Sequence, residues 1–187
     1  MHMPKLRRHW TVDDLQDLPD DGNRYEVVDG ELLVTPAPSW AHQRAVLMLA
    51  RRLEDYLAMY PVGEVLIAPA DIPFSASRLV QPDVFVVPLV NGKRPNRFED
   101  VRRLLLAAEV LSASTARADR VTKRVMLRDE SVPEYWVIDL DARAIERSTP
   151  ADARIDVIDD QLVWLPAGAA APFHLDLSEF FAKVLDG

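Results

Sequence analysis

The chain has 187 residues, 49% of them hydrophobic and 28% charged, which is the size and composition of one ordinary globular domain with its own core. It contains no cysteine, which excludes disulfides, thiolate zinc sites and a cysteine nucleophile. A formal net charge of −8 speaks against a nucleic-acid coat, which is usually basic, but leaves room for an enzyme that meets DNA through one local basic patch. No apolar stretch approaches the ~20 residues of a membrane span. No apolar signal core follows the basic Lys5-Leu6-Arg7-Arg8, so the expectation is a cytoplasmic protein without membrane association.

In chain order, Thr11 to Leu18 reads as a short helix opened by a threonine N-cap. Arg24–Val28 and Glu31–Val34 flank Asp29-Gly30, a strong hairpin signal because a type I′ turn needs positive φ at both central residues. Pro36 and Pro38 end the hairpin and Ser39 caps the next helix. In that helix, from Ala41 to about Tyr60, the residues Ala45, Val46, Leu49, Ala50, Leu53, Tyr56 and Leu57 share one face with His42. Strands are expected at Gly63–Ala70 and Leu79–Val87, joined by Asp71 to Arg78, with an exposed loop from Pro88 to Asp100. The apolar run Leu104–Leu111, interrupted only by Glu109, reads as a strand covered on both faces.

Ser112-Ala113-Ser114-Thr115 then supplies caps for a helix to about Asp129, with Ala118, Val121, Val125 and Met126 on its buried side and Arg117, Arg120, Arg124 and Arg128 along another. Glu134–Asp139 is a further strand. Ala144–Arg147, Arg154–Ile158 and Gln161–Leu165 look like an antiparallel meander, and Leu177–Val184 like a closing helix. The whole predicts a single α/β domain over residues 1–187, with a mixed central sheet flanked by helices, an N-terminal hairpin and a core at about 24–140.

Glu109 is the residue hardest to explain as scaffold, since a lone buried carboxylate costs several kcal/mol unless a cation or hydrogen bonds compensate it. Asp83 opens a similar apolar run, Val84–Val87, directly after Pro82, whose missing N–H breaks no ladder bond at a strand entry. Two acids delivered by neighbouring strands make part of the oxygen shell that Mg²⁺ or Mn²⁺ prefers. Such an ion activates water for phosphodiester hydrolysis. Lys123, on the helix that follows but central to neither of its sides, would orient that water or stabilise developing charge if held beside the ion; by itself it reads as a solvated helix lysine. The alternative is structural: Glu109 makes a buried ion pair with Lys123 or an arginine.

Several motifs together carry a resemblance. Arg24-Tyr25-Glu26-Val27-Val28-Asp29-Gly30-Glu31, then Pro36-Ala37-Pro38-Ser39 and His42-Gln43, resembles the start of the Uma-two family of restriction-endonuclease-like proteins, within the PD-(D/E)XK superfamily. Val80-Gln81-Pro82-Asp83-Val84 and Glu109-Val110-Leu111 resemble its two acid motifs, and Asp119–Arg124 with Val132–Asp139 its helix and last core strand. The resemblance implies a restriction-endonuclease fold and an endonuclease that uses Mg²⁺ or Mn²⁺, acts on DNA and forms a homodimer. It also implies that Asp83 and Glu109 bind the metal and that Lys123 replaces the lysine of the (D/E)XK triplet, where Leu111 stands here. It adds Glu26 and His42 as further site residues. Ala113 and Leu127 depart from a proline and a tyrosine usual in the family.

Three bland placements stand beside these. His42 is alternatively a satisfied core histidine, Glu26 a surface partner of Arg24, and the arginine stripe a solvated face rather than a phosphate contact. Two other function classes remain open at this point: a noncatalytic interaction or regulatory protein that keeps the fold, and a hydrolase of small phosphorylated substrates.

Overall fold

The computed structural model describes residues 9–101, 103–152 and 154–187. Its centre is a six-stranded sheet in the order β10-β9-β8-β7-β6-β3, built from β3 (Gly63–Ile67), β6 (Val84–Pro88), β7 (Leu106–Val110), β8 (Tyr135–Asp139), β9 (Ala144–Ser148) and β10 (Asp156–Ile158). Only β7 and β8 run parallel; the remaining pairs are antiparallel. The parallel pair needs a crossover, and the helix that carries Lys123 provides it.

Alternation along these strands builds two cores at once. Val84, Val86, Leu106, Ala108, Val110, Trp136 and Ile138 point to one face, where they meet α1 (Trp40–Met59) and α3 (Leu177–Phe181). Phe85, Val87, Ala107, Tyr135 and Val137 point to the other, under α2 (Arg124–Asp129) and a four-stranded sheet. Glu109 is two residues from Ala107 and faces this second layer. That second sheet has the order β2-β1-β5-β4, from β1 (Arg24–Val28), β2 (Glu31–Thr35), β4 (Ile72–Ser75) and β5 (Arg78–Val80). The β1–β2 hairpin forms as expected, with Asp29 at φ 49° and Gly30 at φ 82°.

The structure corrects several element boundaries. The strand expected over Leu79–Val87 is two strands in two sheets, because Gln81-Pro82-Asp83 breaks the ladder and lets the chain cross from one layer to the other. The expected connection Asp71–Arg78 is largely β4 and a turn. The first helix is a 3₁₀ segment, Asp13–Asp17, and Thr11 does not cap it by accepting; its N–H and hydroxyl both donate to Asp14. Within the exposed 88–100 stretch, Phe98–Asp100 forms a 3₁₀ turn.

At the C-terminus the strands are antiparallel, but β10 closes the main sheet while β11 (Gln161–Trp164) turns away to pair with β12 (Phe173–Asp176), which sequence periodicity missed. The terminal helix runs from Leu177 through a π-helical turn to Asp186. No helix among the described residues is long and apolar enough to cross a membrane.

Candidate active site

α1 is placed by its cap. Ser39 keeps extended backbone, and its hydroxyl accepts the His42 N–H at 3.2 Å. This turns His42 inward, where Nε2 lies 3.0 Å from Asp83 Oδ2. The same carboxylate oxygen accepts the Val110 N–H at 2.9 Å, and Oδ1 lies 2.8 Å from Arg24 Nη1. Asp83 thus sits at the break between the two sheets, gripped from α1, β1 and β7. Burial pushes its carboxyl up, but the hydrogen bond and charge of His42, the Arg24 guanidinium and the Val110 N–H outweigh burial and hold it at about 2.

Glu109 belongs to a different cluster. Lys123 Nζ lies 2.9 Å from Glu109 Oε1, 2.8 Å from Glu26 Oε2 and 3.3 Å from Asp119 Oδ1. All four side chains are nearly solvent-free. Glu26 Oε1 also accepts the Gln81 N–H at 2.7 Å, tying the cluster to the strand break. Burial pushes the Glu109 carboxyl well above its ordinary range; Lys123 opposes this, while Asp119, Asp83 and Glu26 add to it. Burial pulls Lys123 down, yet Glu109, Glu26 and Asp119 together raise it well above its usual value, so the ammonium stays charged. Burial likewise raises Asp119 against the pull of Lys123 and Thr115.

The helix achieves this by an unusual winding. Ala118–Lys123 is a π-helical turn that leads into α2, and its wider turn, closed by i→i+5 bonds, rotates the buried face. The expected buried side is therefore corrected: Val121 is 50% exposed and Val125 37%, while Asp119 and Lys123 turn inward with Met126 and Leu127. Ser112, Ser114 and Thr115 bond to one another through their hydroxyls rather than capping that helix.

All five residues singled out in the sequence are brought together. Asp83, Glu109, Lys123 and His42 line one cleft of about 390 Å³, with Arg24, Pro36–Ser39, Ser112–Thr115 and Asp119 on its walls; Glu26 lies directly behind Lys123. The buried ion pair of Glu109 with Lys123, read from the sequence as an alternative to metal binding, is present. Glu26 is not a surface partner of Arg24, because Arg24 reaches Asp83 instead. Sequence reasoning misses two site residues, Arg24 and Asp119. The chain does carry signals for both: Arg24 shares a strand face with Glu26, and Asp119 lies one turn before Lys123.

A divalent ion suits these residues in one respect and strains them in another. Four buried acids, Glu26, Asp83, Glu109 and Asp119, share two permanent cations, Arg24 and Lys123, with His42 beside Asp83. Their oxygens are hard donors, and the Glu109 carboxyl, raised first by burial, is raised further by Asp119, Asp83 and Glu26. Among the described residues, however, no three His, Asp or Glu side chains already form a cage. The set fits Mg²⁺ or Mn²⁺ bound by one or two carboxylates, with water and substrate phosphate completing the shell.

The family model for Uma2, described as putative restriction endonuclease, matches residues 12–183. No curated protein matches the chain in sequence. A crystal structure of a putative nuclease belonging to DUF820, from Anabaena variabilis, superposes with a TM-score of 0.77 at 20% identity, over 94% of this chain and 99% of that one. At that identity the likeness shows a shared fold.

Proposed function

The chain belongs to the Uma2 family of putative restriction endonucleases, and from that premise we propose that it is a Mg²⁺- or Mn²⁺-dependent endonuclease that hydrolyses phosphodiester bonds of DNA. The observation that carries the reading is the gathering of four buried acids against two permanent cations, with Asp83 and Glu109 on the wall of an open cleft. Those two side chains would hold the ion, which when bound supplies a polarised phosphoryl oxygen and a water of lowered pKa. Val110 N–H and His42 fix the Asp83 carboxylate, so its orientation is set before substrate arrives. Lys123, fixed by three carboxylates, would orient the attacking water and offset charge that develops on the phosphate. Arg24, at the cleft wall, places a second cation within reach of the same phosphate.

The same reading makes DNA the substrate and a cytoplasmic homodimer the working form, matched to the two-fold symmetry of a duplex. Sedimentation of the full chain tests the dimer directly.

A noncatalytic protein that keeps the fold is the second reading, and the ion pairs favour it. Arg24 on Asp83 and Lys123 on Glu109 already give each proposed ligand a cation. Incubation of the protein with plasmid and Mn²⁺, beside Asp83→Ala and Lys123→Ala, separates the two. Nicking by the unaltered chain and its loss in both variants supports the endonuclease. Equal nicking by all three points to a contaminant and removes that support, and turnover of nucleotides without nicking points to a small phosphorylated substrate.

A further inference from the structure

The arginine stripe of the Lys123 helix divides in the structure. Arg120 is consumed: its Nε bonds Glu146 at 2.7 Å and its Nη2 bonds Asp139 at 2.6 Å. Arg124 and Arg128 instead line a second cleft, which shares no lining residue with the one that holds Lys123. This cleft holds about 160 Å³ and is lined by Arg124, Arg128, Arg154, Ser148, Thr149 and Asp152, together with Tyr135.

Its electrostatics are unusual for a chain of net charge −8. Three guanidinium groups share the cleft, and the one acid there, Asp152, is engaged by the Thr149 N–H at 2.7 Å. Arg128 has only a 3.6 Å contact with its neighbour Asp129. Among the described residues neither Arg124 nor Arg154 has an acid within ion-pair distance. Arg124 Nε, moreover, is buried and donates to nothing among the described residues. Buried donors are almost always partnered, by protein, water or an ion, so an orphan of this kind asks for an acceptor.

We propose that this cleft is a second phosphate-binding site, separate from the catalytic cleft, in which Arg124, Arg128 and Arg154 grip one phosphate group and the Ser148 and Thr149 hydroxyls donate to it. The guanidinium fork matches the oxygens of a phosphate, and three of them supply the charge. The volume is below the roughly 300–1,000 Å³ of sites that enclose a whole drug-sized molecule, so the cleft takes the phosphate and leaves the rest of its bearer outside. That bearer is either the backbone of a polynucleotide lying across the helix or a small free phosphate compound. The proposal does not rest on the nuclease reading, since none of its residues belongs to the catalytic cleft.

The experiment uses the full chain with chelator present. Inorganic phosphate and pyrophosphate are titrated at constant ionic strength against chloride, with melting temperature as the readout. The unaltered chain and Asp83→Asn should both be stabilised by phosphate, and the Arg124→Gln/Arg128→Gln double variant should lose most of the shift. Arg154→Gln, at an exposed position where folding is not at stake, should weaken phosphate several-fold by itself. A phosphate shift no larger than that of chloride, or one equal in the unaltered chain and the double variant, overturns the site.

Duplex binding measured in Ca²⁺ across a salt series then assigns the source. If the phosphate is that of a polynucleotide, the double variant lowers the slope of log affinity against log salt by about 0.9 for each phosphate it no longer neutralises. An unchanged slope beside an abolished phosphate shift assigns a free phosphate compound.

Discussion

Arg24 Nη1 lies 2.8 Å from Asp83 Oδ1, so the first proposed metal ligand is held by a guanidinium delivered from the N-terminal hairpin. The same nitrogen also reaches the Gln81 carbonyl at 3.3 Å, on the strand break that presents Asp83. A cation bound to Asp83 therefore shares that carboxylate with a fixed positive charge. Arg24→Gln should tighten Mn²⁺ binding on the order of tenfold, the effect of removing one like charge at a partly solvated site. The Mn²⁺ concentration needed for half the melting shift measures it; an unchanged value would show that Arg24 and the ion do not compete.

Lys123 neutralises three buried acids at once. Lys123→Met keeps much of the stem but leaves those carboxylates unpaired. Removing one partner of a buried pair costs about 3–5 kcal/mol, and urea unfolding at neutral pH should show a loss of that order. Adding Glu109→Gln to Lys123→Met should recover part of it, because one charge then disappears from the cluster. Two independent, additive losses would mean that the residues do not act as a unit.

Asp83 also sets an acid limit. Its carboxyl is held at about 2 against an ordinary 3.8, so the folded state keeps it ionised while the unfolded chain takes up a proton. The stability this contributes is complete above pH 3.8 and is lost as pH falls toward 2, by about 2 kcal/mol in all. Glu109 acts in the opposite sense, since a raised carboxyl disfavours folding as pH climbs above its ordinary 4.5. Stability curves for Asp83→Asn should have a shallower acid slope between pH 4 and 2; an identical slope in variant and parent would assign it to other carboxylates.

Gly30 carries a purely conformational prediction. Its φ is 82°, and a Cβ there would sit 2.1 Å from the His9 ring. Gly30→Ala should destabilise by roughly 1–2 kcal/mol from the left-handed backbone alone. His9→Ala should restore only the part of the loss due to the ring.

Much of this architecture is legible in the chain. Asp29-Gly30 announces its turn, Ser39 its cap, and the apolar spacing of α1 places His42 on the inner face, because these are local signals set by φ and by helical period. The acids in otherwise apolar strands mark the site, since burial makes such residues expensive. What escapes a linear reading is non-local or depends on an irregular period. Pro82 marks a break inside Leu79–Val87, but nothing local says that the halves enter different sheets, and β12 is only four residues long and finds β11 across a loop. The π-helical turn defeats the 3.6-residue reading of the Lys123 helix, and with it the burial of Asp119. Proximity in sequence pairs Arg24 with Glu26, whereas the tertiary fold offers Arg24 the buried carboxylate of Asp83.

The central claim is that Asp83 and Glu109 hold a divalent ion, and the melting temperature of the metal-free chain titrated with Mn²⁺, beside Glu109→Ala, tests it most directly. A one-site ion at a hundred times its dissociation constant stabilises by about 2.7 kcal/mol. The account predicts a saturable upward shift for the unaltered chain that Glu109→Ala abolishes. No shift in the unaltered chain, with Glu109→Ala less stable than it in chelator, would contradict the account and leave Glu109 as the structural partner of Lys123.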